Sequence, residues 1–265
     1  MRIASIGHAA FAIMMIALGI VGLLQPDFVP LWNPVPMSAP THELVIYLGA
    51  LISLVAGGGL LVQRTAAIAA RLLLATLILW LLLFRLTNFL HVSLFEASWS
   101  VFPLLVMVAG AWVLYVWLAG DWDRKHLSFI TGDNGLRVAR SLYGLSLIFF
   151  GSAHFIDLED TLSLIPNWLP GHLFWAHFTG CAFVAAGIAI LVGLCARLAA
   201  TLSALQIAGF LFLVWIPIVA AGSKVPFQWS ETILSATLLA GAWMIADSYR
   251  DMSWLPNLAK PLVDD

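Results

Sequence analysis

Nine residues from the first half of this chain return 130 positions later. Gly57, Leu61, Val62, Ala66, Ala69, Ala70, Leu72, Trp99 and Ser100 have counterparts in Gly187, Leu191, Val192, Ala196, Ala199, Ala200, Leu202, Trp229 and Ser230. The run Gly110-Ala111-Trp112 returns as Gly241-Ala242-Trp243, and Gly19 pairs with Gly151. Their offsets drift slightly, as loop insertions would make them. A correspondence this long predicts a duplicated unit, so the fold available to one half must also suit the other.

The solvent follows from composition. The chain is 62% hydrophobic and 10% charged, where a soluble domain carries about 25% charged residues. A core cannot hide that much apolar surface, so lipid must cover much of it. The apolar runs are continuous over about twenty residues, not alternating over about ten, so helices are expected and a barrel is not. Eight spans are expected near 5–25, 43–62, 66–86, 101–119, 137–156, 171–192, 198–221 and 229–247.

Charge sets the orientation. With the N-terminus cytoplasmic, Arg2, Arg64, Arg71, Arg124, Lys125, Arg137, Arg140, Arg197, Arg250 and Lys260 fall inside, and Arg85 and Lys224 outside. That bias follows the positive-inside rule, while the acids divide evenly. Four spans per unit bring both halves in with the same orientation. The expected fold is therefore an all-α integral membrane protein: eight transmembrane helices as two parallel four-helix repeats, with N- and C-termini cytoplasmic. Residues 1–120 form the first repeat, 121–136 a cytoplasmic linker, 137–250 the second repeat and 251–265 a cytoplasmic tail. Met1-Arg2 before an apolar run has the form of a signal peptide, but the run is long and aligns with the fifth span, so a retained helix is expected.

Several function classes drop out. A net charge of −2 offers no basic patch for nucleic acid. Cys181 and Cys195 are expected on one helix, about 21 Å apart, too far to bridge each other. There is no C-x-x-C pair, Walker loop, G-x-G-x-x-G, H-E-x-x-H or C-x-x-C-H segment.

The polar residues that remain concentrate on the expected outer side. His154 stands near the outer end of the fifth span, either as an interface histidine or as a partner for a proton, metal or polar headgroup. Gly144 and Gly151 share a face of that span and would admit a close neighbour. Arg140, at its other end, reads as a snorkelling anchor. His177 and Cys181 are four residues apart on one face, a spacing that suits two metal ligands, but two do not make a site and no metal centre is assigned. Glu231 opens the eighth span, where the helix dipole favours an acid; its counterpart is Val101. Gln206 aligns with Thr76, both polar in mid-span. Pro34 and Pro36, and Ile165 to Pro170 with Trp168, form stiff outer connections that Trp175 would join in roofing a cavity. Pro217, after Trp215, would kink the seventh span. The candidate pocket is thus His154, Glu231, His177, Trp175, Trp168, Gln206 and Trp215, weighted to the second half, with the first half mainly scaffold.

Arg140…Tyr143-Gly144…Phe150-Gly151…His154-Phe155, then Pro166…Trp168-Leu169-Pro170…Trp175…Thr179-Gly180…Ala186-Gly187…Arg197…Ala199-Ala200, resembles the DoxX-like membrane family. The likeness covers residues 140–247 well, and residues 7–119 look like a degenerate copy. It implies a four-helix unit in the bacterial cytoplasmic (inner) membrane, associated in some members with quinol or thiosulfate:quinone oxidoreductase systems and redox-stress complexes. Membrane redox subunits would be the partners and a quinone the candidate cofactor. Under that reading His154 and Glu231 handle protons or quinone oxygens, and tryptophans stack on the ring. Two other readings stand beside it: a carrier for a small or amphipathic molecule, using Thr76 and Gln206, and a structural assembly factor without pocket chemistry.

Overall fold

The computed structural model describes residues 4–25, 29, 31–32 and 42–255. Pro34 and Pro36 of the first outer connection, and Arg2 and Lys260 of the expected basic face, lie outside them. Among the described residues every regular element is helical. In chain order they are α1 (Ile6–Leu24), α2 (His42–Leu60), α3 (Ala66–Trp80), α4 (Leu94–Leu118), α5 (Asp121–His126), α6 (Gly132–Ile156), α7 (Leu158–Leu164), α8 (His172–Val192), α9 (Ala196–Phe210), α10 (Ile216–Ala220) and α11 (Pro226–Ser248).

Six stretches are long and apolar enough to cross a membrane, drawn from α1, α2, α3 with its extension to Leu90, α4, α8 and α9 continued through α10. A seventh is α6 with α7, a pair bent by 93°. The chain is therefore an all-α, multi-pass membrane protein in contact with the bilayer. The eighth expected span, α11, is not among these seven. It carries Gln228, Glu231, Thr232, Thr237 and Asp247, and it packs on α1, α4 and α9.

The helices close into a ring. Each of α1, α2, α3, α4, α6, α8, α9 and α11 packs on the next, and α11 returns to α1. Across the middle α4 meets α11. Glycine sets the closest approaches. A Cβ at Gly151 would stand 2.5 Å from the Gly180 carbonyl oxygen, and one at Gly187 would stand 2.5 Å from that of Gly144. The shared face expected for Gly144 and Gly151 is thus the α6–α8 seam, where small residues let two backbones touch. Gly19 and Gly57 do the same between α1 and α2.

Helix starts depart from expectation where local chemistry recruits extra turns. The fourth rod begins at Leu94, not 101, because Ser93 and Glu96 form a capping box: the Ser93 hydroxyl accepts from the Glu96 N–H at 3.2 Å, and the Glu96 carboxylate accepts from the Ser93 N–H at 3.1 Å. The last begins at Pro226, a residue preorganised for a first turn. Glu231 therefore sits beyond the first turn, and the helix-dipole role expected for it does not apply. Both α3 and α9 run directly into a π turn, Leu81–Arg85 and Leu211–Trp215. Pro217 follows the second π turn inside α10, while no proline accompanies the first.

One end of the bundle gathers the arginines. Arg71 pairs with Asp123 at 2.7 Å, Arg250 donates to the Ala4 carbonyl at 2.9 Å, and Arg197 donates to that of Met252 at 2.6 Å. Arg140, expected as a snorkelling anchor, instead turns onto the end of α11. It donates to the Ser248 hydroxyl at 3.0 Å and to its carbonyl, and lies 3.9 Å over the Tyr249 ring. A cation at a helix C-terminus satisfies carbonyls that have no partner in the helix. His8 is sealed at this end, bonded to Leu60 O at 2.9 Å and to Ala4 N at 3.2 Å.

Candidate functional site

His154 lies in the last turn of α6. The contact between Gly151 and Gly180 draws α8 so close that a Cβ on Gly180 would be 3.0 Å from the His154 Cβ. The imidazole is held between Phe183 of α8 and Phe210 of α9, each 5.8 Å away between ring centroids. Its Nδ1 lies 2.7 Å from the Phe150 carbonyl oxygen. A carbonyl only accepts, so Nδ1 carries the proton, and in the neutral ring Nε2 is left with a lone pair. No hydrogen bond engages that nitrogen among the described residues. The arrangement is an oriented acceptor on an aromatic wall.

Gln206 is tied to the same pair of helices: its side-chain amide donates to the Thr179 carbonyl at 2.9 Å. Thr76, its counterpart, donates to Leu72 one turn earlier at 2.8 Å. Both polar mid-span groups thus spend a donor on backbone. Trp215 is buried at the end of its π turn, 6.3 Å from Phe227. Glu231 is half-buried, with no hydrogen bond or ion pair to its carboxylate among the described residues.

The remaining candidates face elsewhere. Trp168 is 67% exposed. Trp175 packs on Phe174 and Phe178 of its own helix. His177 stacks on Phe155 at 5.6 Å, and neither Cys181 nor Cys195 is bonded. No group of three His, Cys, Asp or Glu side chains converges among the described residues. Nothing bonds His154 to Glu231 there either. Two open cavities lie at the arginine-rich end and not beside His154; the one beside Arg124, Asn134 and Arg137 has a volume of about 630 Å³.

Residues 135–215 match the family described as DoxX. The chain carries a DoxX segment. It runs from the first turns of α6 to Trp215, and so takes in His154, Trp168, Trp175, His177, Gln206 and Trp215 but not Glu231. No curated protein and no solved structure matches the chain.

Outside the DoxX segment lies a cluster that the sequence reading passed over. Arg85 is only 2% exposed, and Trp32 and Trp80 are buried beside it in the first half. One signal was present: Arg85 is one of two cations that break the positive-inside pattern, at the end of an apolar run.

Proposed function

We propose that this protein is a quinone-linked redox or accessory subunit of a bacterial cytoplasmic membrane. In this reading it is built from two duplicated four-helix units, with eight spans and both termini inside. The duplication draws support from α3 and α9. Each begins at an alanine, Ala66 or Ala196, and passes into a π turn at Leu81 or Leu211, every bound 130 positions apart. A terminal quinone-reacting partner would supply the electron path, and the ring would be held on aromatic side chains.

The observation that carries the reading is the hydrogen bond from His154 Nδ1 to Phe150 O, at 2.7 Å. It fixes which nitrogen can meet a ligand. A quinol hydroxyl donates and finds an acceptor in Nε2; a quinone carbonyl accepts and does not. The site therefore favours the reduced form, with His154 positioned to take the hydroxyl proton as electrons leave for a partner subunit. Phe183 and Phe210 supply flat apolar surface on either side.

The test is binding of a short-chain benzoquinol and of its quinone to protein in mild detergent, followed by quenching of intrinsic fluorescence. Tighter quinol binding, lost in His154→Phe, supports the assignment. Binding of neither form, or binding indifferent to His154→Phe, overturns it.

A further inference from the structure

The segment joining the two halves is tied down on both sides of a cavity. Asp123 accepts from Arg71 of α3 at 2.7 Å and from the Tyr115 hydroxyl of α4 at 3.2 Å, which fixes α5. Trp112 Nε1 of α4 donates to the Ile130 carbonyl at 2.9 Å, and the Thr131 hydroxyl donates to that of Leu127 at 3.1 Å, which fixes the turn into α6. Between these ties lies the cavity of about 630 Å³. Arg124 of α5, Ser128 of the turn, and Asn134 and Arg137 of α6 are on its lining.

Its two guanidinium groups are not engaged. Arg124 and Arg137 have no hydrogen bond, ion pair or ring contact among the described residues, whereas Arg71, Arg140, Arg197 and Arg250 at the same end all have one. One acid, Asp133, shares the lining, and the Arg140 charge also acts on it. The cavity is therefore net positive. Guanidinium forks match phosphate oxygens in geometry as well as charge.

Two further features name the source of the phosphate. Trp122 and Phe129 are exposed on either side of the Arg124–Ser128 stretch, where α4 has ended and α6 has not begun. Exposed aromatic rings at the ends of spans belong at headgroup level. From the cavity an apolar strip then runs along α6: Asn134, Val138 and Leu145 share one face, and Val138 and Leu145 are exposed. A soluble phosphate has no use for that strip, but an acyl chain does. We propose that this cavity binds an anionic phospholipid, with its phosphate between Arg124 and Arg137, its headgroup at Ser128 and Asn134, and a chain along Val138 and Leu145. The site rests on the membrane placement of the chain and is independent of the quinol reading.

The test is mass spectrometry of the intact full chain, delipidated in maltoside detergent and then given equal amounts of phosphatidylglycerol and phosphatidylcholine with the same acyl chains. Phosphatidylglycerol should be retained in preference. Arg124→Gln with Arg137→Gln should weaken its retention about thirtyfold, the combined worth of two basic side chains beside an anionic lipid. Each single variant should lose about fivefold, and these serve if the double variant is unstable. Lys125→Gln, which removes a neighbouring charge that is not on the lining, should keep the parent's preference. Equal retention of the two lipids overturns the proposal, as does parental retention in the arginine variants or an equal loss in Lys125→Gln. Displacement of the lipid by an equal concentration of glycerol 1-phosphate also overturns it, and assigns the cavity to a soluble phosphate ester.

Discussion

Gly110 of α4 and Gly241 of α11 meet where the two helices cross: a Cβ on Gly110 would stand 3.3 Å from the Gly241 Cα. Each belongs to one copy of the Gly-Ala-Trp run, so the recurring run marks the crossing at the centre of the ring. Only the absence of a side chain on both helices lets the backbones come this close.

That crossing is easily tested. Gly241→Ala places a methyl 2.8 Å from Val106 Cγ1 and 3.0 Å from the Val106 carbonyl oxygen. Overpacking of this kind costs about 1–3 kcal/mol. Thermal unfolding in detergent should move down accordingly; an unchanged midpoint would mean that α4 and α11 do not touch here.

Asp123 locks the segment between the halves. It is buried, and it accepts from Arg71 at 2.7 Å, the Gly120 N–H at 3.1 Å and the Tyr115 hydroxyl at 3.2 Å. Burial pushes its carboxyl up, but these three partners outweigh that, and the carboxyl is held below its ordinary range. A depressed carboxyl contributes stability that is complete above the unfolded pKa, about 3.9, and is lost as pH falls through the lower folded value. Acid should therefore loosen α5 before the spans. Hydrogen exchange of residues 120–127 should rise below that range in the parent protein, while Asp123→Asn should show fast exchange already at neutral pH. Equal, pH-independent exchange in both would remove the lock.

Glu231 separates structure from function. Its carboxylate has no bonding partner among the described residues, so Glu231→Gln should leave the unfolding midpoint unchanged or slightly raised, because a charge is no longer half-buried. If binding of the short-chain benzoquinol falls while stability holds, the acid is functional. If both are untouched, it leaves the candidate site.

The Ser93 cap extends α4 beyond the expected start. Ser93→Ala should cost about 1 kcal/mol and fray the helix as far as Ser98, read as faster amide exchange there alone. Amides from Leu104 onward, more than a turn beyond Ser98, should keep their exchange rates.

Periodicity and apolar length made the rods and their order legible, and residue type at Gly144 and Gly151 anticipated the tight seam between α6 and α8. Boundaries slipped where a single cap mattered, at Ser93 and Pro226. The candidate site was legible only in part. His154 could be named from its place near a span end, but not its tautomer, which depends on Phe150 in the preceding turn. Arg140 read as an anchor because nothing local announces that Ser248, 108 residues on, would receive it.

Sequence alone determined that this chain lives in lipid as a set of helices, because an apolar run of about twenty residues must satisfy its own backbone bonds there. It also determined where helices could touch, since a glycine has no Cβ wherever it stands. Tertiary structure decided which helices do touch. It put α11 against α1 and α4, brought Phe183 and Phe210 around His154, and buried Trp32, Trp80 and Arg85 together. Those outcomes depend on distance between residues far apart in the chain, and no local pattern encodes that distance.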